Sequence, residues 1–375
     1  MNSKLKEVAL VFFKLGCFAF GGPAAHIAMM EDEIIEKRKW MSMDYFLDLI
    51  GTTNLIPGPN STEMTMHCGY ERAGKAGLFV AGIAFIIPAT IITAILAYLY
   101  VEYGQLPEVE PFIYGIKPAV LAIIAGAILK LGKKAVKSTE LIILGVLVLT
   151  ASFLGVNEVV ALLSAGVLGL LYFYLKSKTI SNLNTISPFL LCLGINTAIA
   201  KVSTLKLFLI FLKVGAILYG SGYVLFAYLD AELVTRGLLT RAELIDAIAI
   251  GQFTPGPVLS TSTFIGYQLS GFTGALVATT GIFLPSFLFV LILNPFIPRM
   301  RKSIRLRYFL DSVNVAAVAV MLAVLVVMAK ETLIEWQSIL IALIAVLLTF
   351  KTKISTIWTI IMGALLGFLL ITLTT

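Results

Sequence analysis

The sequence predicts an all-α polytopic membrane protein: two inverted-topology repeats with broken or re-entrant helices, joined by a linker transmembrane helix. Three observations carry that prediction. Apolar residues make up 59% of the 375 and charged residues only 13%, about half the roughly 25% charge of soluble domains. The tripeptide Pro-Gly-Pro occurs twice, at 57–59 and at 255–257, inside otherwise apolar text. Finally, loops at equivalent positions of the two halves carry opposite kinds of charge, which in membrane proteins reports orientation.

Apolar runs of spanning length, or close to it, occur at 8–29, 78–101, 112–132, 139–155, 157–175, 272–296, 306–330, 334–350 and 354–373, against the 17 to 25 or so residues that a crossing needs. The first run contains Lys14, is interrupted by Gly21-Gly22-Pro23, and reads as a retained helix without a signal cleavage site. A charged amphipathic stretch, 31–40, suits the membrane interface. Ser42 is placed to cap a short helix over 43–56, and a second short helix is expected from Ser61 to Tyr70. Between them, Pro57, Gly58 and Pro59 must break any helix, because each proline removes a backbone donor and clashes with the turn before it. Each piece is too short to span, so the pair is either a re-entrant hairpin or one discontinuous helix. Four ordinary spans complete the half.

The second half repeats this order at an offset of 197 to 199 residues. Phe12-Phe13-Lys14-Leu15-Gly16 matches Phe211-Leu212-Lys213-Val214-Gly215. Gly69, Tyr70 and Gly74 match Gly266, Tyr267 and Gly271, Pro88 matches Pro285, and Ser42 matches Thr240, which opens a capping box with Glu243. The loop holding Glu102, Glu108 and Glu110 has no Lys or Arg, whereas its equivalent carries Arg299, Arg301, Lys302, Arg305 and Arg307. The next loop reverses the contrast: Lys130, Lys133, Lys134 and Lys137 against Lys330, Glu331 and Glu335. Equivalent loops therefore face opposite sides, and the repeats are inverted. Inversion requires an odd number of crossings in between, which assigns an extra helix to Ile186–Val202. The expected organisation is a first repeat over 1–176, a linker over 177–202 and a second, inverted repeat over 203–375. The N-terminus is expected in the cytoplasm and the C-terminus outside.

Matched helix breaks in two inverted halves point to a transport site, since irregular backbone at membrane depth survives only where protein or a polar cavity satisfies it. Lys14 and Lys213, one per half, either gather around a central anion or snorkel to an interface. Gly58 and Gly256 shape the two turns, with Pro255 and Pro257 completing the second. Asn60, Ser61 and Thr62, with Ser260 and Thr261, offer donors beside helix N-termini, or else act as caps. Glu63 has no acidic counterpart in the second half. It is a candidate proton carrier, with structural pairing to Lys14 or Arg72 as the alternative. His26 and His67 read as hydrogen-bonding packing residues. Cys17, Cys68 and Cys192 are isolated, so no metal set or cofactor is indicated, and the absence of a nucleophile–base set argues against an enzyme. The net charge of +7 crowds into loops and does not indicate a nucleic-acid partner.

Several motifs carry a resemblance. Phe-Lys-Leu-Gly-x-x-x-Phe-Gly-Gly-Pro (13–23), Pro-Gly-Pro-Asn-Ser-Thr-Glu (57–63) with Gly69-Tyr70, and Phe85-Ile86-Ile87-Pro88-Ala89 occur in the first half. Pro-Gly-Pro-Val (255–258), Thr-Phe-Ile-Gly-Tyr (263–267) and Gly-Ile-Phe-Leu-Pro-Ser-Phe (281–287) occur in the second. Over essentially its whole length the chain resembles the chromate ion transporter family in its long, two-repeat form. The resemblance implies an inner-membrane exporter of chromate driven by the proton motive force, with sulfate as a similar oxyanion. Its partners would be the oxyanion, protons and the lipid bilayer, with a homodimer as an allowed assembly. An exchanger for another oxyanion and a passive anion channel are the alternatives. Leu238 stands where similar sequences often have tryptophan, and Lys75 where an aromatic is frequent.

Overall fold

The computed structural model describes residues 3–19, 22–53, 56–104, 106–177, 203–219, 222–293, 303–352 and 354–374; every regular element among them is helical. Gly21, Cys192 and the linker helix expected at 186–202 lie outside the described residues.

Helix α1 (Ser3–Phe18) has 16 residues, about 24 Å at 1.5 Å per residue and short of the ~30 Å hydrocarbon core. Gly22 takes φ 78° and Pro23 then opens α2 (Pro23–Met30), where its missing N–H and fixed φ suit a first helical turn. The apolar run 8–29 is thus a broken pair and not one span. A π-helical turn (Glu31–Lys37) leads to α3 (Met43–Thr53), where the Tyr45 amide donates to Ser42 Oγ at 3.3 Å, the cap expected from sequence.

After the Pro-Gly-Pro turn comes α4 (Asn60–Tyr103), which reverses at Ala73 and Gly74, the glycine taking φ 65°. The short limb, 60–72, folds back on the long limb, 75–103. A Cβ on Gly69 would lie 2.4 Å from the Gly77 carbonyl oxygen, so only glycine lets the two limbs lie this close. The Tyr45 hydroxyl, at the start of α3, donates to Glu71 Oε1, at the end of the short limb, at 2.8 Å, so α3, the turn and the short limb form a re-entrant hairpin. The alternative of one discontinuous crossing helix is excluded.

The second repeat follows the same plan: α8 (Thr204–Ile217), a 3-10 turn (Gly222–Val224), α9 (Leu225–Leu229), a π turn (Asp230–Val234), α10 (Arg241–Phe253), a 3-10 turn (Val258–Ser260) and α11 (Thr261–Leu293). Thr240 and Glu243 close the expected capping box. Helix α11 reverses at Ser270 and Gly271, and Gly266 meets Gly274 as Gly69 meets Gly77.

The remaining helices are α5 (Glu110–Ala135), α6 (Thr139–Phe153) and α7 (Glu158–Ser177), with α12 (Ile304–Thr332), α13 (Trp336–Lys351) and α14 (Thr356–Thr374) in the second repeat. Among the described residues, six helices are long and apolar enough to cross a membrane, and α6 and α13 are shorter apolar helices. Small residues bring some of them into close contact: a Cβ on Gly115 of α5 would fall 2.1 Å from the Gly363 carbonyl oxygen of α14. Such approaches substitute for the hydrophobic drive that lipid does not supply.

Helix packing confirms the inversion. Phe79 of the α4 long limb stacks on Phe287 of the α11 long limb at 5.7 Å, and Tyr98 and Tyr100, near the end of the α4 long limb, meet Tyr267 and Phe264 of the α11 short limb at 6.5 and 5.1 Å. The direction is set by α5 and α12, along which numbering runs oppositely: Ile124 lines one small cavity with Met328, Gly132 faces Val318, and Ala135 shares an apolar cluster with Val315. Equivalent helices run antiparallel, which places the pseudo-two-fold axis across them. The first repeat's hairpins thus enter from the face that begins α1, and the second repeat's hairpins from the opposite face.

Candidate functional site

The two hairpin tips meet in the middle of the molecule and close on each other's repeats. The Gly58 amide donates to the Leu218 carbonyl, just past α8, at 2.6 Å; the Gly256 amide donates to the Ala19 carbonyl, just past α1, at 2.9 Å. Both glycines adopt positive φ, 141° and 84°, a region that L side chains rarely occupy. Space is also short. A Cβ on Gly58 would lie 2.2 Å from Glu63 Oε1 and 2.5 Å from Ser286 Oγ, and one on Gly256 would lie 2.9 Å from Ala89 Cβ.

Chemically the tips differ. After Pro59 the first continues Asn60-Ser61-Thr62-Glu63, and after Pro257 the second continues Val258-Leu259-Ser260-Thr261. In the first tip, Ser61 Oγ lies 3.1 Å from His26 Nδ1, and His26 Nε2 lies 3.1 Å from the Ala19 carbonyl oxygen. A carbonyl only accepts, so Nε2 carries the proton and Nδ1 accepts from the Ser61 hydroxyl. The imidazole, edge-on to Phe85 at 5.5 Å, therefore joins the first tip to the carbonyl that also receives Gly256. Glu63 is fully buried, and both its oxygens lack a hydrogen-bond partner among the described residues, as do Thr62 Oγ1 and Ser286 Oγ. Glu63 pairs with neither expected cation, because Lys14 bonds to Glu33 and Arg72 to Glu7 at 2.6 Å. In the second tip the hydroxyls turn back on their own neighbours: Thr261 Oγ1 donates to the Val258 carbonyl at 2.8 Å, and Ser260 Oγ lies 3.3 Å from Thr254 Oγ1.

Lys14 and Lys213 each find a carboxylate 19 residues on: Glu33 at 3.4 Å and Glu232 at 2.7 Å. Lys37 and Arg38 also bond to Glu33, and Arg236 bonds to Glu232. Burial pushes the Glu33 carboxyl up, but the hydrogen bond from Lys37, the charge of Arg38 and the contact with Lys14 outweigh it and hold it below its ordinary value. Each repeat thus gathers cations around one buried carboxylate on its own entry face, Lys37 reaching Asp32 and Arg38 reaching Glu7 as well. The lysines belong to these clusters, about one and a half turns before the breaks that follow α1 and α8.

Sequence reasoning missed the two glutamates, although Glu33 and Glu232 share the 199-residue offset of the lysines. It also missed Ser286, beside Pro285, and a pair deep in the apolar text. Lys117, inside the run 112–132, lies 3.3 Å from Asp246 of α10, which also accepts from the Tyr100 hydroxyl at 2.7 Å.

The profile of the family described as "Chromate transporter" matches residues 6–170 and again residues 205–368. The chain belongs to the chromate transporter family. A probable chromate transport protein of Synechococcus elongatus is 30% identical over 356 residues, covering 92% of this chain and 90% of its own. A chromate transport protein of Cupriavidus metallidurans is 30% identical over 358 residues, 93% and 88% of the two chains. One from Pseudomonas aeruginosa is 28% identical over 378 residues, 96% and 90%. No solved structure matches the chain. The family and the apolar helices together make it a multi-pass membrane transporter.

Proposed function

We propose that this protein exports chromate across the prokaryotic inner membrane, with sulfate as an oxyanion of the same shape and charge. Its N-terminus lies in the cytoplasm. The single observation that carries the reading is Glu63, a buried carboxyl whose two oxygens have no hydrogen-bond partner among the described residues, crowding Gly58 together with the Ser286 hydroxyl where the repeats close on each other. A protonated Glu63, Thr62, Ser286 and the short limb's N-terminus offer donors to a tetrahedral oxyanion. An ionised Glu63 repels it. Proton and anion therefore travel together, and a dianion with one proton leaves carrying net charge −1. An inside-negative potential drives that species outward by about 2.3 kcal/mol per 100 mV. The Lys14 and Lys213 clusters concentrate anions at the two mouths.

Chromate flux in proteoliposomes under imposed potential and pH gradients tests this. Wild-type efflux is expected to rise with an inside-negative potential and to depend on pH, while Glu63→Gln transports with a flattened pH profile. Wild-type flux indifferent to both gradients, or an unchanged pH profile in Glu63→Gln, overturns the coupling. Lys14→Gln combined with Lys213→Gln is expected to slow flux, more at low ionic strength. Intact flux in that double variant removes the lysines from the pathway. Competition by sulfate reports how far the site separates the two oxyanions.

A further inference from the structure

Lys117 and Asp246 do more than tie two helices together. Lys117 belongs to the first repeat and Asp246 to the second. The pair lies on the face opposite the one that begins α1, about 10 Å along α5 from Glu110 and about 13 Å along α10 from Pro255, at 1.5 Å per residue. It therefore stands between that face and the tips. Lys117 is a quarter exposed and Asp246 is more than nine-tenths buried. Both contacts of the carboxylate fall on one oxygen: Tyr100 donates to Oδ2 at 2.7 Å and Lys117 approaches Oδ2 at 3.3 Å. Oδ1 has no partner among the described residues. Other charged groups near Asp246 are engaged elsewhere. Glu243, one turn earlier on α10, caps Thr240 and accepts from Gln268 of α11. Arg241, at the start of α10, bonds to Asp230 and to Glu331 at the end of α12. Helix α14, which also packs on α10, carries no charged residue. The arrangement is one-sided: at the offset that aligns Pro88 with Pro285, Asn314 stands where Lys117 would be.

We propose that Lys117 is a second oxyanion-binding residue on the path between the tips and the face opposite the N-terminus, and that Asp246 is the partner it gives up when the anion arrives. The assignment rests on the transport reading above. When an oxyanion takes the Lys117 ammonium, Asp246 keeps the Tyr100 hydroxyl on Oδ2 and takes a proton from solvent on its free Oδ1. When the anion leaves, that proton is released and the ion pair re-forms. Anion binding and proton binding therefore favour each other here by the same factor, as linkage requires. A pair that only fastened the repeats would leave anion affinity and its pH profile untouched.

The test is chromate binding by calorimetry to the full-length protein in detergent across a pH series, with thermal stability measured alongside. Chromate titrates itself, so each profile is compared with that of Asp246→Asn. Lys117→Gln is expected to weaken binding about tenfold or more, the loss of one charge-assisted contact. Asp246→Asn is expected to keep or tighten binding and to flatten the pH dependence. The double variant Lys117→Gln/Asp246→Asn leaves no buried unpaired charge, so stability returns while binding stays weak. Affinity within about twofold of wild type in Lys117→Gln, or recovered affinity in the double variant, overturns the assignment. Absence of chromate binding by the wild type overturns the transport reading itself, and this assignment with it.

Discussion

Gly58→Ala separates backbone strain from crowding at the first tip. At φ 141° an alanine is strained, by about 1–3 kcal/mol for so sparsely populated a conformation. The added methyl would also stand 2.2 Å from Glu63 Oε1 and 2.5 Å from Ser286 Oγ, and forcing a packed interior apart costs about 1–3 kcal/mol more. Gly74→Ala is the internal control. It too sits at positive φ, 65°, with ψ −155°, so the same strain of about 1–3 kcal/mol applies, but a Cβ there meets nothing within 4 Å and no crowding is added. Thermal unfolding in detergent and chromate flux are read on both variants. Gly58→Ala is expected to be the less stable and to lose transport, because Glu63 must leave its place; Gly74→Ala is expected to retain it. Adding Ser286→Gly to Gly58→Ala should recover part of the stability. Equal melting temperatures for the two alanine variants, with transport intact in both, would refute the claim that Gly58 is kept for the space that Glu63 and Ser286 occupy.

Two further outcomes follow from contacts already described. His26→Leu installs the residue that the second repeat uses at this position, Leu225, but leaves the Ser61 hydroxyl and one lone pair of the Ala19 carbonyl unbonded; a loss of about 1–3 kcal/mol is expected in thermal unfolding. Because the folded-state value of Glu33 is depressed, its contribution is fully present at neutral pH and is lost as pH falls through that value. The stability gap between wild type and Glu33→Gln should accordingly close below about pH 4, a region set by the ordinary carboxylate value.

The architecture was legible in the sequence where it rests on backbone chemistry. Pro57, Gly58 and Pro59 can only break a helix, Thr240 and Glu243 can only be read as a cap, and the reversed loop charges imply inversion. Whether the broken elements cross or return was not legible. It turns on which helix ends lie side by side, as Tyr45 does with Glu71 and Glu243 with Gln268, contacts across the turns that no local periodicity marks. The lysines show the limit most clearly. An ammonium in an apolar run signals function by its expense, but the carboxylate that offsets it sits 19 residues away across a helix break, where no helical or strand periodicity connects the two. The same holds for Lys117 and Asp246, whose pairing exists only because the second repeat lies inverted against the first.

The exchanged bonds at the tips also bear on how the chain is made. Gly58 leaves the ribosome about 160 residues before Leu218, its acceptor, which at about 5–20 residues per second is a delay of roughly 8–30 s. Throughout that interval the first hairpin has a donor with no acceptor of its own at membrane depth. The newly inserted half is thus an unfinished object, held open until its twin arrives to close it.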